Sequence, residues 1–544
     1  MPGTREWVTT DLAIADSTIA GWGPREARET VDLSGAALTP GFVDAHMHLE
    51  STKLWVDEFV GAVLPHGTTA VAADPHEIAN VFGVPGVVAL AQAASKLPFT
   101  FGICAPSCVP ASHFESPGAE LGSLELAELL DEHDAIGIAE FMDFPGVTSG
   151  NPEVLAKIAT AGHKRVDGHA PGLSGRQLDA YLAAGVESDH ECTELEEAEE
   201  KRRKGMWIFI REGSASRNLA ALIGTVLLHG TDRVALCTDD REPETLLHSG
   251  HANDCVRLAV AAGARVEDAL VMVTSNPAEY HHFDHLGWLA PGYQADVLCF
   301  DNLSSFEPAR VFQAGKLVAI NGAIMPGAVP TAGPPQWMRS SVHLETLPGP
   351  SAFDLVPPLG GRAHVIGIES RSLTTRDLVL DVTDPASEVA RIAVVERHRR
   401  TGRIGLGYAH GFGLTHGAIA STVAHDAHNC MAVGAIDSSG PPDMAVAVAR
   451  LAEIGGGQVA VRDGHVLAEV RLPIGGLMSD RSIKEVSEEM RVLADAALNG
   501  LGVTIDAPFM QLSFLGLSVL PELRITDKGL VDVMKFALTD VAAT

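Results

Sequence analysis

The sequence predicts an α/β fold, a (β/α)8 barrel of the TIM type with a small β-sandwich from its flanking segments and a C-terminal α+β domain. Three observations predict it. Short apolar, β-rich runs alternate with longer helical patterns between residues 41 and 240. Chemically active polar residues recur at the C-terminal ends of those runs. Turn-punctuated β segments bracket the alternating region on both sides.

The candidate strands are GFVDAHMH (41–48), TTAVAAD (68–74), FTFGICA (99–105) and AIGIAE (135–140). KRVDGHA (164–170), GVESDHE (185–191), MWIFIRE (206–212) and RVALCTD (233–239) complete the series. Between them lie helical segments such as LWVDEFVGAVLPHG, SLELAELLDEHD, SGRQLDAYLAAG and ASRNLAALIGTVLLHG. Strand–helix units repeated in this way are the signature of a parallel barrel. His46, His48, Asp74, Glu140, His169, His190, Arg211 and Asp239 each fall near the C-terminal end of a run, which in such barrels is the catalytic face.

The flanks read differently. Residues 1–40 and 286–340 have β character and little helix, and two such segments can pair in space into one sandwich. The barrel is assigned to 41–285. Beyond the Pro- and Gly-rich stretches, 341–544 mixes strands (HVLAEVRLPIG) with helices (IKEVSEEMRVLADAALNG) and reads as α+β.

Composition narrows the class of function. A chain of 544 residues with 46% hydrophobic and 20% charged residues reads as a soluble globular protein of more than one domain. No apolar stretch is long enough to predict a membrane span, and MPGTREWVTTD lacks the features of a secretory signal. The seven cysteines are scattered and odd in number, which argues for a reducing compartment, the cytoplasm. A net charge of −31 repels phosphate backbones, so nucleic acid is not an expected partner. Of the dense basic runs, KRRK (201–204) follows the acidic ELEEAEE and reads as a solvated helix face. A homo-oligomer is compatible with such a surface.

His46-Met47-His48 is the strongest local signal. Residues two apart on a strand point to the same face, so both imidazoles converge on one ion. Later strand ends offer His169, His190 and Asp239, with Glu140 placed to bridge two ions. Imidazoles combined with carboxylates suit a pair of Zn, Fe or Mn ions rather than Ca or Mg. Such a pair shares and sharpens a hydroxide nucleophile. Asp74 and Glu77, in DPHEIAN, read either as a hydrogen-bond partner of that hydroxide and a proton donor to a substrate ring nitrogen, or as a helix cap; His76 is an equal candidate on type. Arg211 and Ser214 could contact a small ligand or cap the next helix, and Asp240 completes the tandem with Asp239. CAPSC (104–108) reads as loop. In VAHDAHN, His425 and His428 could bind metal or join a hydrogen-bonded interdomain network.

PGFVDAHMHLES, LPHGTTAVAADPHEIANVFG, FMDFPGV, DGHAPGLSG, SDHECTELEEA, IREGSASRNL, CTDDREP and NPAEY together resemble the bacterial adenine deaminases of the amidohydrolase superfamily. The likeness continues through GFGLTHGAIASTVAHDAHN into the third region. It implies conversion of adenine and water to hypoxanthine and ammonia at a centre of two divalent ions, Mn(II) or Fe(II) before Zn(II). His46 and His48 would hold one ion with Asp239; His169 and His190 would hold the other; Glu140 would bridge. Glu77 would protonate the ring, and Asp239 would pass the proton of the hydroxide to the leaving amine. Arg211, Ser214 and Asp240 would bind the base. Glu242 stands where the family pattern leads us to expect a histidine. Cyclic-amide hydrolases of the superfamily instead bridge their metals with a carboxylated lysine, and this chain has Glu140 there. Other readings are a related amidohydrolase acting on another aminated heterocycle or cyclic amide, and a catalytically silent scaffold.

Overall fold

The structure, a computed structural model, describes residues 2–33, 35–214, 216–369 and 374–543. Every predicted strand is present, though shorter than its apolar run. They are β1 (Phe42–Met47), β2 (Thr68–Ala73), β3 (Thr100–Ile103) and β4 (Gly137–Phe141), then β5 (Arg165–Gly168), β6 (Ser188–Asp189), β7 (Trp207–Arg211) and β8 (Val234–Cys237). Parallel ladders join β1 to β2, β2 to β3, β4 to β5, β6 to β7 and β7 to β8. A parallel bridge from Ala105 to Ile138 carries β3 to β4, and another from Met47 to Asp239 returns the end of β8 to β1. Between β5 and β6, Glu187 N–H donates to the Val166 carbonyl at 3.0 Å. Gly168 permits that approach, because a Cβ there would overlap the Ser188 carbonyl oxygen.

The strand interiors are apolar because both faces are covered. Ala45, Trp207, Phe209, Ala235, Cys237 and Tyr280 form one buried cluster. The segment read as one helix over ASRNLAALIGTVLLHG is divided into Leu219–Leu222 and Gly224–His229. Gly224 at the junction lowers helical propensity. A second expectation also changes. Lys201, read with KRRK as part of a solvated face, is fully buried in the helix Leu195–Arg203. Its ammonium donates to the Ala170 carbonyl at 2.6 Å, Asp189 Oδ2 at 2.9 Å and Glu197 Oε1 at 2.6 Å, so three acceptors replace water.

The two flanks meet in one antiparallel sheet: Ala37–Pro40 pairs with Val297–Phe300, which continues through Arg310–Gln313, Lys316–Ile320 and Ala323–Ile324. The hairpin Leu12–Ala15 and Thr18–Trp22 stands beside it through a bridge from Thr18 to Gln294.

The chain divides into two compact units: Met1–Pro75, Val88–Ser107 and Gly122–Gly333 form the first, and His76–Val87, Cys108–Leu121 and Pro334–Thr544 the second. The segments following β2 and β3 therefore pack with the C-terminal half. Gly118 N–H donates to the Asn80 carbonyl at 2.7 Å, and Phe82 meets Trp337 edge to face at 5.1 Å. An eight-stranded sheet dominates this unit, and the helix Gly440–Ile454 covers it over a core that includes Ala420, Ala432, Met444, Val448, Leu451 and Val459. Among the described residues, no helix is long and apolar enough to cross a membrane.

Candidate metal centre

The strands of the first unit deliver their polar residues to one end. His46 lies within β1 and His48 just beyond it; Glu140 is within β4; His169 and His190 directly follow β5 and β6; Asp239 follows β8. All six are buried.

Two groups form. His46 Nε2 and His48 Nε2 stand 3.2 Å apart, and Asp239 Oδ1 lies 3.5 Å from the first and 3.1 Å from the second. Donors held about 2.1 Å from a common ion stand ~3.0–3.4 Å from each other, so the set fits a divalent transition metal. The second group gathers on Glu140 Oε2, with His169 Nδ1 at 2.7 Å and His190 Nε2 at 3.2 Å. Glu140 Oε1 turns the other way, 3.4 Å from His48 Nε2. One carboxylate thus presents an oxygen to each group, as a bridging ligand does.

The surroundings aim these groups. His48 Nδ1–H donates to the Asp74 carbonyl at 3.1 Å, which leaves the Nε2 lone pair for the metal. Asp44 braces the strand ends by accepting from Thr238 Oγ1 at 2.5 Å, Thr238 N–H at 3.1 Å and His46 N–H at 3.3 Å. His281, from HHFDH, donates through Nε2 to the Ala45 carbonyl of β1 at 2.7 Å. Asp239 has φ of +55°, a costly backbone state of the kind held at functional sites.

Burial, then the charge of His190, lowers the His46 pKa to about 4, so this imidazole is neutral as a ligand must be. Burial alone would raise Glu140, but His169 and His190 outweigh it and hold the carboxyl well below its ordinary range.

The Amidohydrolase family matches residues 37–318, and the Adenine deaminase C-terminal domain matches residues 369–537. Adenine deaminase 2 of Carboxydothermus hydrogenoformans is 44% identical over 99% of this chain and 95% of its own. Adenine deaminase of Desulfatibacillum aliphaticivorans is 44% identical over 97% of this chain and 92% of its own. That of Methanothrix thermoacetophila is 42% identical over 97% and 92%. The chain belongs to the adenine deaminase family of amidohydrolases.

Within this family member the other predicted residues take defined places. Arg211 lies behind the centre, with Nη1 2.7 Å from Asp239 Oδ2 and both terminal nitrogens on the Glu191 carboxylate. Glu191 was not singled out from the sequence; its position directly after His190 was the available signal. Asp240 accepts from Ser51 Oγ, and Ser214 Oγ donates to Thr245 Oγ1 at 2.8 Å while accepting from Glu242 N–H at 2.9 Å. Glu242 itself pairs with Lys53 Nζ at 2.9 Å.

Asp74 is buried in the first unit, its N–H bonded to the Met47 carbonyl at 3.0 Å. Glu77 and His76 begin the helix His76–Phe82 of the second unit. There His76 Nε2 lies 3.6 Å from Asp426 Oδ1, and Glu77 Oε2 lies 3.4 Å from His428 Nε2. All seven cysteines are buried free thiols, CAPSC included.

Replacing Arg211 with Lys tests the role of the fork. A point charge cannot hold Glu191 bidentately and Asp239 at once, so we expect kcat/KM to fall ~10-fold with metal content unchanged. Ammonia release and metal analysis of R211K check this.

Proposed function

We propose that the protein hydrolyses adenine to hypoxanthine and ammonia at a centre of two divalent ions, Mn(II) or Fe(II) before Zn(II), at the mouth of a closed (β/α)8 barrel. The observation that carries this is the division of the Glu140 oxygens between two sets of donors, in a chain whose relatives named adenine deaminase match it over nearly its whole length. The ions would supply a water acidified enough to attack at neutral pH.

The chain's own residues supply the rest. His46, His48 and Asp239 would hold one ion, His169 and His190 the other, and Glu140 would reach both. Asp74 accepts a hydrogen bond from the attacking water. Glu77 gives a proton to the ring nitrogen, which makes C6 electrophilic. Asp239 takes one proton of the water and passes it to the amine as the C6–N bond breaks; the second proton of the water leaves as C6–O becomes a carbonyl and restores Glu77. Ser214 and Asp240 contact the base, and Arg211 holds Asp239 through Oδ2 so that Oδ1 faces the imidazoles. The buried free thiols support a cytoplasmic setting.

Ammonia release by Mn(II)-loaded protein tests the reading. Turnover is expected on adenine; activity on another aminated base or a cyclic amide, with none on adenine, would transfer the site to a related amidohydrolase reaction. Lack of turnover on any of these would leave a scaffold.

A further inference from the structure

We propose that His428, from the C-terminal region, is a positioning residue for Glu77: its Nε2–H faces the Glu77 carboxylate and orients it for proton transfer to the substrate ring. The inference rests on Glu77 being the ring acid.

The loop 422–429 links the strands Ala418–Ser421 and Cys430–Gly434 and carries VAHDAHN. His428 within it is wholly buried and has φ of +52°, a left-handed conformation that a non-glycine residue holds only where its surroundings enforce it. The enforcement is visible. His428 N–H donates to the Ala424 carbonyl at 2.7 Å, and Ala424 N–H donates back to His428 Nδ1 at 3.1 Å.

That second bond decides the chemistry of the ring. A ring nitrogen that accepts a backbone N–H carries no proton, so the neutral imidazole bears its proton on Nε2. Burial, reinforced by the charges of His425 and Arg397, holds the ring neutral. Nε2 is therefore a donor without a lone pair, which removes His428 from the candidate metal ligands. It stands 3.4 Å from Glu77 Oε2, a long contact of the kind that tightens when substrate arrives.

The loop is held from four further directions. Glu115 Oε2 accepts from Ala427 N–H at 3.2 Å, and Asn429 Nδ2 donates to the Ser116 carbonyl at 3.0 Å. His425 N–H donates to the Ser513 carbonyl at 2.8 Å, and Arg397 Nε donates to the His428 carbonyl. A frame this complete around one strained imidazole sets a direction rather than filling space.

Two substitutions separate the functions of the ring. His428→Asn keeps an acceptor for Ala424 N–H and tolerates the left-handed backbone, but places nothing at Nε2. His428→Gln places an N–H donor near Nε2. We expect H428N to lower kcat ~10- to 100-fold, with KM within about twofold and metal content unchanged, and H428Q to recover most of that loss. In a Glu77→Gln background, H428N should cost nothing further. Equal impairment of H428N and H428Q, wild-type kcat in H428N, or an undiminished additional loss in the E77Q background would overturn the positioning role while leaving Glu77 as the acid. Wild-type activity in E77Q itself would overturn the acid assignment, and this inference with it.

Discussion

Glu140→Gln should abolish measurable adenine deamination and lower the bound metal from two ions per chain toward one. The carboxylate presents one oxygen to each set of donors, with Oε1 3.4 Å from His48 Nε2 and Oε2 2.7 Å from His169 Nδ1. Gln retains the shape but replaces one anionic oxygen with an NH2 that has no lone pair for a cation. The charge stabilisation at stake is several kcal/mol, and at about 1.4 kcal/mol per decade this predicts a loss of ~10³-fold or more. Metal analysis and ammonia release on the same preparation check both halves. Two ions retained with near-normal turnover would remove Glu140 from its bridging place.

Lys201→Met should cost about 3–5 kcal/mol of stability, because it leaves Asp189 buried without its cation. Asp189 is fully buried, and the residue after it is His190, a proposed ligand. Burial alone would raise its carboxyl, but the Lys201 ammonium outweighs burial and brings the pKa down to about 2. The sign follows from linkage. A carboxyl whose folded pKa lies below its unfolded value of about 4 contributes stability that is full above that value. The contribution is lost as pH falls toward 2. Wild-type protein should therefore lose stability over that acid window, and K201M should show a smaller acid-dependent loss from a lower plateau. Thermal unfolding as a function of pH measures both. A second substitution, Asp189→Asn, should restore part of the plateau in K201M, since it removes the uncompensated charge.

These two residues also mark what a linear reading can reach. The place of Glu140 at a strand end was legible because strand polarity and residue type are local properties, and the same logic placed His46, His48, His169, His190 and Asp239 at strand ends. Lys201 was not. It sits in a run of charges that looks solvated, and only the packing of the helix Leu195–Arg203 against β6 shows that this lysine faces inward. Arg211 was legible only in part: its place at a strand end was visible, but its pairing with Glu191 and Asp239 joins three side chains distant in sequence.

By itself the sequence determined the strand–helix alternation, the polarity of the strands and the residue types at their ends, because apolar periodicity and strand length are local properties of a chain. The tertiary structure alone decided which oxygen of Glu140 faces which imidazoles. It decided the tautomers of His48 and His428, each set by one backbone group that accepts or donates. It also decided that His76–Val87, which begins inside DPHEIAN, packs with the C-terminal half, while Asp74 stays with the strands. Those are matters of direction and of partners distant in sequence, and spacing along a chain carries neither.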